Sequence, residues 1–145
     1  MEDIDRQLIR LLAADGRMSF TDLGKHTGLS TSAVHQRVRR LEKRGVIRGY
    51  RALVDPDALG LPLTAFVSIK AFDPTAEDEA PEKLAALPAV EACYSVAGAE
   101  AYILKIRVAA PTDLEALLAD IRAIAGVTTR TTVVLSVPFE DRLAQ

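Results

Sequence analysis

A single cysteine, Cys93, leaves the chain without an internal disulfide and without a multi-thiolate metal site. Nothing in it calls for an oxidising compartment. Histidine is nearly as scarce: His26 and His35 are the only two. They lack metal-ligand spacing, and with Cys93 in a different part of the chain they offer no plausible nucleophile and base pair. No glycine-rich phosphate loop occurs. These gaps argue against an enzyme and imply no catalytic residue, no metal and no cofactor. Long apolar runs are missing too, since none approaches the roughly 20 residues that a membrane helix needs. No basic start and apolar stretch precede a small-residue cleavage site. The expectation is a cytoplasmic protein without a membrane partner.

What is present is ordinary globular material. Hydrophobic residues make up 49% and charged residues 26% of 145 positions, enough for one ordinary core or two small ones. The net charge of -2 conceals an uneven distribution. Residues 1–51 hold 11 Lys+Arg against 6 Asp+Glu, a net of +5, and residues 52–145 hold 7 against 14, a net of -7. The two parts therefore have different electrostatic tasks.

Apolar periodicity in the first part reads as three helices. Ile4, Leu8, Leu11 and Leu12 recur at helical spacing after Asp3, a potential cap, and Asp15-Gly16 ends that helix. SFTD at 19–22 has the form of a capping box, so Ser19 opens a short second helix that Gly28 closes. Gly24 weakens that helix by roughly 1 kcal/mol relative to Ala; close approach of a neighbouring helix would be its compensation. Ser30 caps the third helix and Gly45 follows its end. The β-favouring run VIRGYRALV, 46–54, reads as a strand or ribbon, and DPDALGLP, 55–62, as turn-rich linker. The domain division expected is 1–51, a linker at 52–62, and 63–145.

The second part reads strand, helix, strand, strand, helix, strand. Strands are expected at 63–72, 90–96, 101–108 and 129–139, with a helix between Pro74 and Pro88 begun or broken at Pro81. A second helix spans 112–126 with Thr112 as its cap. That order is the split βαβ pattern. The fold class expected is α+β: a three-helix winged helix-turn-helix, then a ferredoxin-like βαββαβ domain with a four-stranded antiparallel sheet.

The third helix carries the chemistry. On a wheel with Val34 at zero, Val38 falls at about 40 degrees and Leu41 at about -20, an apolar stripe facing the other two helices. Ser32, His35, Gln36, Arg39, Arg40 and Lys43 cover about 100 to 240 degrees on the other side. Glu42 is the only acid in the helix, so this face repels itself unless an anion is present. A helix of this kind after a helix and a glycine-containing turn is placed to enter the DNA major groove. Gln36 suits adenine, and Arg39 or Arg40 suits guanine or phosphate. Thr31 and Ser32, next to the Ser30 cap, suit phosphate or a thymine methyl. Base reading falls chiefly to Ser32, His35, Gln36 and Arg39, and phosphate contact to Arg40 and Lys43. Arg37, at the edge of the stripe, is either a phosphate contact or an ion pair with an acid of the first helix. A solvated basic face is the bland alternative.

The run from Asp3 to Tyr50, with D-I-D at 3–5 and then D-G-R, G-L-S, R-V-x-R-L-E and G-x-I-x-G-Y in order, resembles the Lrp/AsnC, or feast/famine, transcriptional regulators, which typically open on D-x-x-D. The V-x-G turn at 96–98 and a T-x-T pair, Thr129 and Thr131, extend the resemblance over nearly the whole chain, and SVAG-x-E-x-Y is similar to the actinobacterial branch. The resemblance implies promoter DNA as partner and control of amino-acid metabolism genes. It also implies a homodimer through the βαββαβ domains, assembling to an octamer, with an amino-acid effector near the turn at a dimer–dimer contact. The implied effector residues are Val96, Ala97, Gly98, Ala99, Glu100 and Tyr102. Independently, an edge-rich sheet with an apolar face tends to be paired or covered, and a symmetric dimer matches two recognition helices to a palindromic site.

Many family members carry an Asp three residues after the turn glycine, where this chain has Ala101; Glu100 is the nearby carboxylate. It suits a ligand ammonium, and the N–H groups of the turn suit a carboxylate. Gly98 reads equally as an ordinary hairpin glycine. Cys93 reads as a buried strand residue and His26 as a surface position. Two other functions remain open on the residues: a module whose helix-turn-helix docks protein, and a metal or redox sensor using His26, His35 and Cys93.

Overall fold

The computed structural model describes residues 1–144. It contains two compact units: Met1–Leu53 together with residues 139–144, and Val54–Pro138.

In the first unit, α1 (Asp3–Ala14), α2 (Phe20–Thr27) and α3 (Thr31–Lys43) enclose a core of Leu8, Leu12, Leu23, Val34 and Val38, with Leu41 also buried. The apolar stripe read from the sequence is the face that packs. Ser19 Oγ accepts the Asp22 N–H at 3.1 Å, and Ser30 Oγ accepts that of Ala33 at 3.2 Å, so both expected caps form. Helix α1 starts at Asp3 with Glu2 as N-cap, rather than being capped by Asp3. Gly28 takes a left-handed φ of 75° and ends α2. Gly24 is close-packed against the turn, because a Cβ there would lie 2.6 Å from the Leu29 carbonyl oxygen. The neighbour it accommodates is this turn backbone, not a helix.

Residues 46–54 form no strand, contrary to the expectation. The Val46 and Ile47 N–H groups donate to the Leu41 carbonyl, at 2.9 and 3.2 Å, and Ile47 packs on the core. Satisfied locally in this way, the run makes no ladder within the chain.

The second unit is built on β1 (Leu63–Ala71), β2 (Val90–Ser95), β3 (Tyr102–Val108) and β4 (Val127–Val133), ordered β2-β3-β1-β4 with every pair antiparallel. Alternation sends Ala65, Val67, Ile69, Leu104, Ile106 and Val127 to one face. There they meet Ala80 and Leu84 of α4 (Ala80–Leu84) and Leu117, Ile121 and Ala125 of α5 (Pro111–Ala125). Helices cover this face alone. On the other face Phe66 and Tyr94 are exposed, beside Ser68, Ile103 and Arg130.

Three boundaries differ from the sequence reading. The segment after β1 is a 3₁₀ turn, Pro74–Glu79, followed by the short α4, because Pro81 in its first turn removes a donor and restarts the helix. Helix α5 begins with Pro111, whose missing N–H suits the first position; Ala110 is the N-cap, so Thr112 lies inside the helix. Strand β4 stops at Val133 instead of residue 139, since its only neighbour β1 starts at Leu63 and the last pair is Ala65 with Val133. No helix among the described residues is long and apolar enough to cross a membrane.

Candidate functional site

Helix α3 presents the polar face that its wheel demanded. Thr31, Ser32, His35, Gln36, Arg39 and Lys43 are exposed, and Ser30, also exposed, spends its hydroxyl oxygen on the cap. Ser30 and Ser32 hydroxyls lie 3.3 Å apart, which fixes the polar start of the helix. The His35 ring stands edge-on to Phe20, with centroids 5.3 Å apart, so α2 orients it.

Behind that face is a clamp. Asp5 of α1 is only 2% exposed, and its carboxylate accepts from Arg37 Nη1 at 3.0 Å and from Arg40 Nη2 at 3.4 Å. Arg37, its side chain 26% exposed, also reaches Glu2 at 2.9 Å. Hydrogen bonds to these two carboxylates, Asp5 first, raise the Arg37 pKa beyond its ordinary value. Arg37 is thus an ion pair with helix one. Arg40, read from the sequence as a phosphate contact, is partly committed to Asp5. Arg39, Lys43 and Arg44 have no acidic partner among the described residues. They form the uncompensated cationic edge of the helix.

The segment after α3 is tied back to it. Tyr50 donates its hydroxyl to Glu42 Oε1 at 2.9 Å, and its ring lies beside Gly16. Partial desolvation, then the hydrogen bond to Glu42, pushes the Tyr50 pKa up to about 12. The one acid of α3 is therefore occupied inside the chain.

In the second unit, the expected effector residues Val96, Ala97, Gly98, Ala99 and Glu100 lie in the loop between β2 and β3. The Val96 N–H donates to the Ala101 carbonyl at 2.9 Å and the Ala101 N–H to the Ile69 carbonyl at 3.1 Å, closing the loop and fastening it to β1. Gly98 does not take the positive φ that a two-residue hairpin turn needs. The N–H groups of 97–100 have no acceptor among the described residues. Glu100 is not a free carboxylate: Arg130 Nη2 lies 3.2 Å from Oε1 and 3.4 Å from Oε2. Arg130 pairs with Ser68 across the β1–β4 ladder, on the face without helices. Tyr102 is on the helix-covered face instead, as its pairing with Ile69 requires. Desolvation first, then the charges of Asp78, Cys93 and Glu77, raise its pKa. The loop and Arg130 are brought together; Tyr102 is turned away from that pair.

Arg130 and Asp5 are the residues that sequence reasoning passed over. Alternation in β4 could have put Arg130 on the open face, but only the strand register shows that it meets Glu100. Cys93 is exposed on the edge strand β2, not buried as expected, because only its inner neighbours are roofed by α4 and α5. Its thiol pKa is nevertheless raised by desolvation, the opposite of an activated thiolate. No group of three or more potential metal ligands occurs among the described residues.

Comparison with known proteins now decides the family. The AsnC-type helix-turn-helix domain matches residues 1–42 and the Lrp/AsnC ligand binding domain matches residues 64–144. The chain belongs to the Lrp/AsnC family. It is 51% identical over 142 residues to the HTH-type transcriptional regulator LrpA of Mycobacterium tuberculosis, covering 98% of this chain and 95% of that one. It is 38% identical over 139 residues to the leucine-responsive regulatory protein of Haemophilus influenzae, covering 93% and 84%. Among solved structures, a feast or famine regulatory protein from M. tuberculosis complexed with L-methionine superposes with a TM-score of 0.96 at 51% identity, over 99% of this chain and 97% of that one. This Lrp/AsnC protein is a DNA-binding transcriptional regulator and not an enzyme.

Proposed function

We propose that the protein is a cytoplasmic, amino-acid-responsive regulator of amino-acid metabolism genes, reading promoter DNA with α3 and binding its effector at an interface between copies. Residues 1–51 bind DNA, 52–62 link, and 63–145 bind effector and assemble. The carrying observation is the split among the α3 cations. Asp5 fixes the helix through Arg37 and Arg40, and Arg39 and Lys43 are left unpaired on the exposed face. Ser32, His35, Gln36 and Arg39 read base edges; Ser30, Thr31, Arg40 and Lys43 contact the backbone. A sheet with one uncovered face, carrying exposed Phe66 and Tyr94, supports a homodimer; its further assembly to an octamer is what membership of the family implies. The relative seen with L-methionine supports an amino acid as effector; we assign its binding to the 96–100 loop, and Tyr102, on the helix-covered face, backs the strand that follows the loop rather than facing Arg130.

The test is DNA binding against salt, on duplexes selected in vitro from a randomised pool. Each lost phosphate contact lowers the log–log salt slope by about 0.9, so Arg39→Ala with Lys43→Ala is expected to lower it by roughly 1.8 if both touch phosphate, and by about 0.9 if Arg39 reads a base. An unchanged slope would show that α3 does not lie on the duplex. Failure to enrich any duplex would favour a protein-docking helix-turn-helix.

A further inference from the structure

We propose that Arg130 is an anchor for the effector's carboxylate, so that Glu100 and Arg130 together form a charge pair complementary to a zwitterion. This rests on the amino-acid reading of the same loop and adds a residue on a different strand to it.

The contact between the two side chains is a loose one. A single nitrogen, Nη2, serves both Glu100 oxygens, at 3.2 and 3.4 Å. Committed guanidinium–carboxylate pairs are bidentate and close to about 2.7–2.9 Å. The Nε and Nη1 groups of Arg130 have no partner among the described residues. The guanidinium therefore keeps a planar edge of donors matched to a second carboxylate. Exposure separates the partners as well: the Glu100 side chain is 20% exposed and that of Arg130 is 72%. The carboxylate is the fixed pole and the guanidinium the adjustable one.

An α-amino acid carries its ammonium and carboxylate on one carbon. Inserted between the two side chains, it replaces one extended ion pair by two, with ammonium on Glu100 and carboxylate on Arg130. The free N–H groups of 97–100 supply further donors to the carboxylate. Lys70 lies on the same open face, two residues along β1 from Ser68, and keeps that end of the sheet cationic. Nothing in this arrangement contacts the ligand side chain, so it recognises the class and leaves selection within the class to other surfaces.

The experiment uses the full-length protein and isothermal titration with the twenty amino acids, then with two derivatives of the one that binds: its α-carboxamide and its N-acetyl form. Wild type is expected to discriminate against both. Arg130→Gln is expected to weaken the amino acid by roughly ten- to a hundredfold, the value of a charged hydrogen-bond partner, and to bind acid and carboxamide about equally. Glu100→Gln should instead lose discrimination against the N-acetyl form, and Arg130→Lys should restore part of the preference for the acid. A merely structural ion pair would shift unfolding and leave the acid-to-carboxamide ratio unchanged; that unchanged ratio in Arg130→Gln overturns the proposal alone. If none of the twenty binds wild type, the effector reading falls and this proposal with it.

Discussion

Gly24→Ala places opposing local and tertiary effects on one atom. Replacing a helical Gly by Ala normally stabilises by about 1 kcal/mol through backbone entropy. Here the new Cβ would sit 2.6 Å from the Leu29 carbonyl oxygen and 3.6 Å from its carbon. Carbon and oxygen meet without strain no closer than about 3.3 Å, so the turn must retreat by roughly 0.7 Å. Because the obstacle is main chain and not the end of a flexible side chain, the upper part of the usual 1–3 kcal/mol overpacking range applies. The clash therefore outweighs the propensity gain, and we expect a net loss of about 2 kcal/mol. For a unit of some 60 residues that lowers Tm by roughly 8–16 °C. The readout is thermal unfolding followed by helical circular dichroism. Leu29 directly precedes the Ser30 cap, so DNA affinity should fall at temperatures where the variant is still folded. Gly98→Ala is the matched control, since a Cβ there meets nothing within 4 Å and φ is not positive; its stability should change by less than about 0.5 kcal/mol. A Gly24→Ala variant as stable as wild type would refute the argument that this glycine is required by the turn.

Asp5→Ala is expected to cost about 1–3 kcal/mol, the value of hydrogen bonds to a buried charged group, and to reduce DNA affinity although Asp5 lies beneath the DNA face. Urea unfolding and duplex titration check the two effects, and full affinity with lost stability would show that the clamp does not orient α3. Tyr50 has a folded pKa of about 12 against an ordinary value of 10.0. Its protonated form is therefore favoured by the fold, and the stability it contributes is complete below pH 10 and lost as pH rises towards 12. Tyr50→Phe should flatten that decline, measured as the difference from wild type in denaturant midpoints across the window; parallel curves would refute the Tyr50–Glu42 bond.

Local chemistry made much of the fold legible. Val34, Val38 and Leu41 announced their buried face by spacing alone, and Ser19 and Ser30 announced two helix starts by their hydroxyls. Where the reading went wrong, the deciding partner was not local. VIRGYRALV has the composition of a strand, but composition does not supply a neighbour, and Leu41 offered its carbonyl first. The end of β4 was set by where β1 begins, 68 positions earlier in the pair Ala65–Val133. Thr112 lost the cap of α5 to geometry, because Pro111 occupies the first helical position more readily. At the candidate sites the same limit holds: the faces were readable and the ion pairs across them were not.

Those ion pairs also explain how a chain with uneven charge keeps some cations available. Asp5 and Glu100 each hold arginines, but their environments differ in the respect that matters. Asp5 is 2% exposed, so pulling Arg37 away at 3.0 Å would strand a carboxylate beneath the helix; no incoming phosphate repays that easily. Glu100 is 20% exposed and holds its arginine through one nitrogen at 3.2 Å, the looser contact on which the proposed exchange with a zwitterion rests. The first pair joins two helices from beneath, and the second lies with its guanidinium largely in solvent. Arg39, Lys43 and Arg44, paired with neither, stay exposed without an acidic partner among the described residues.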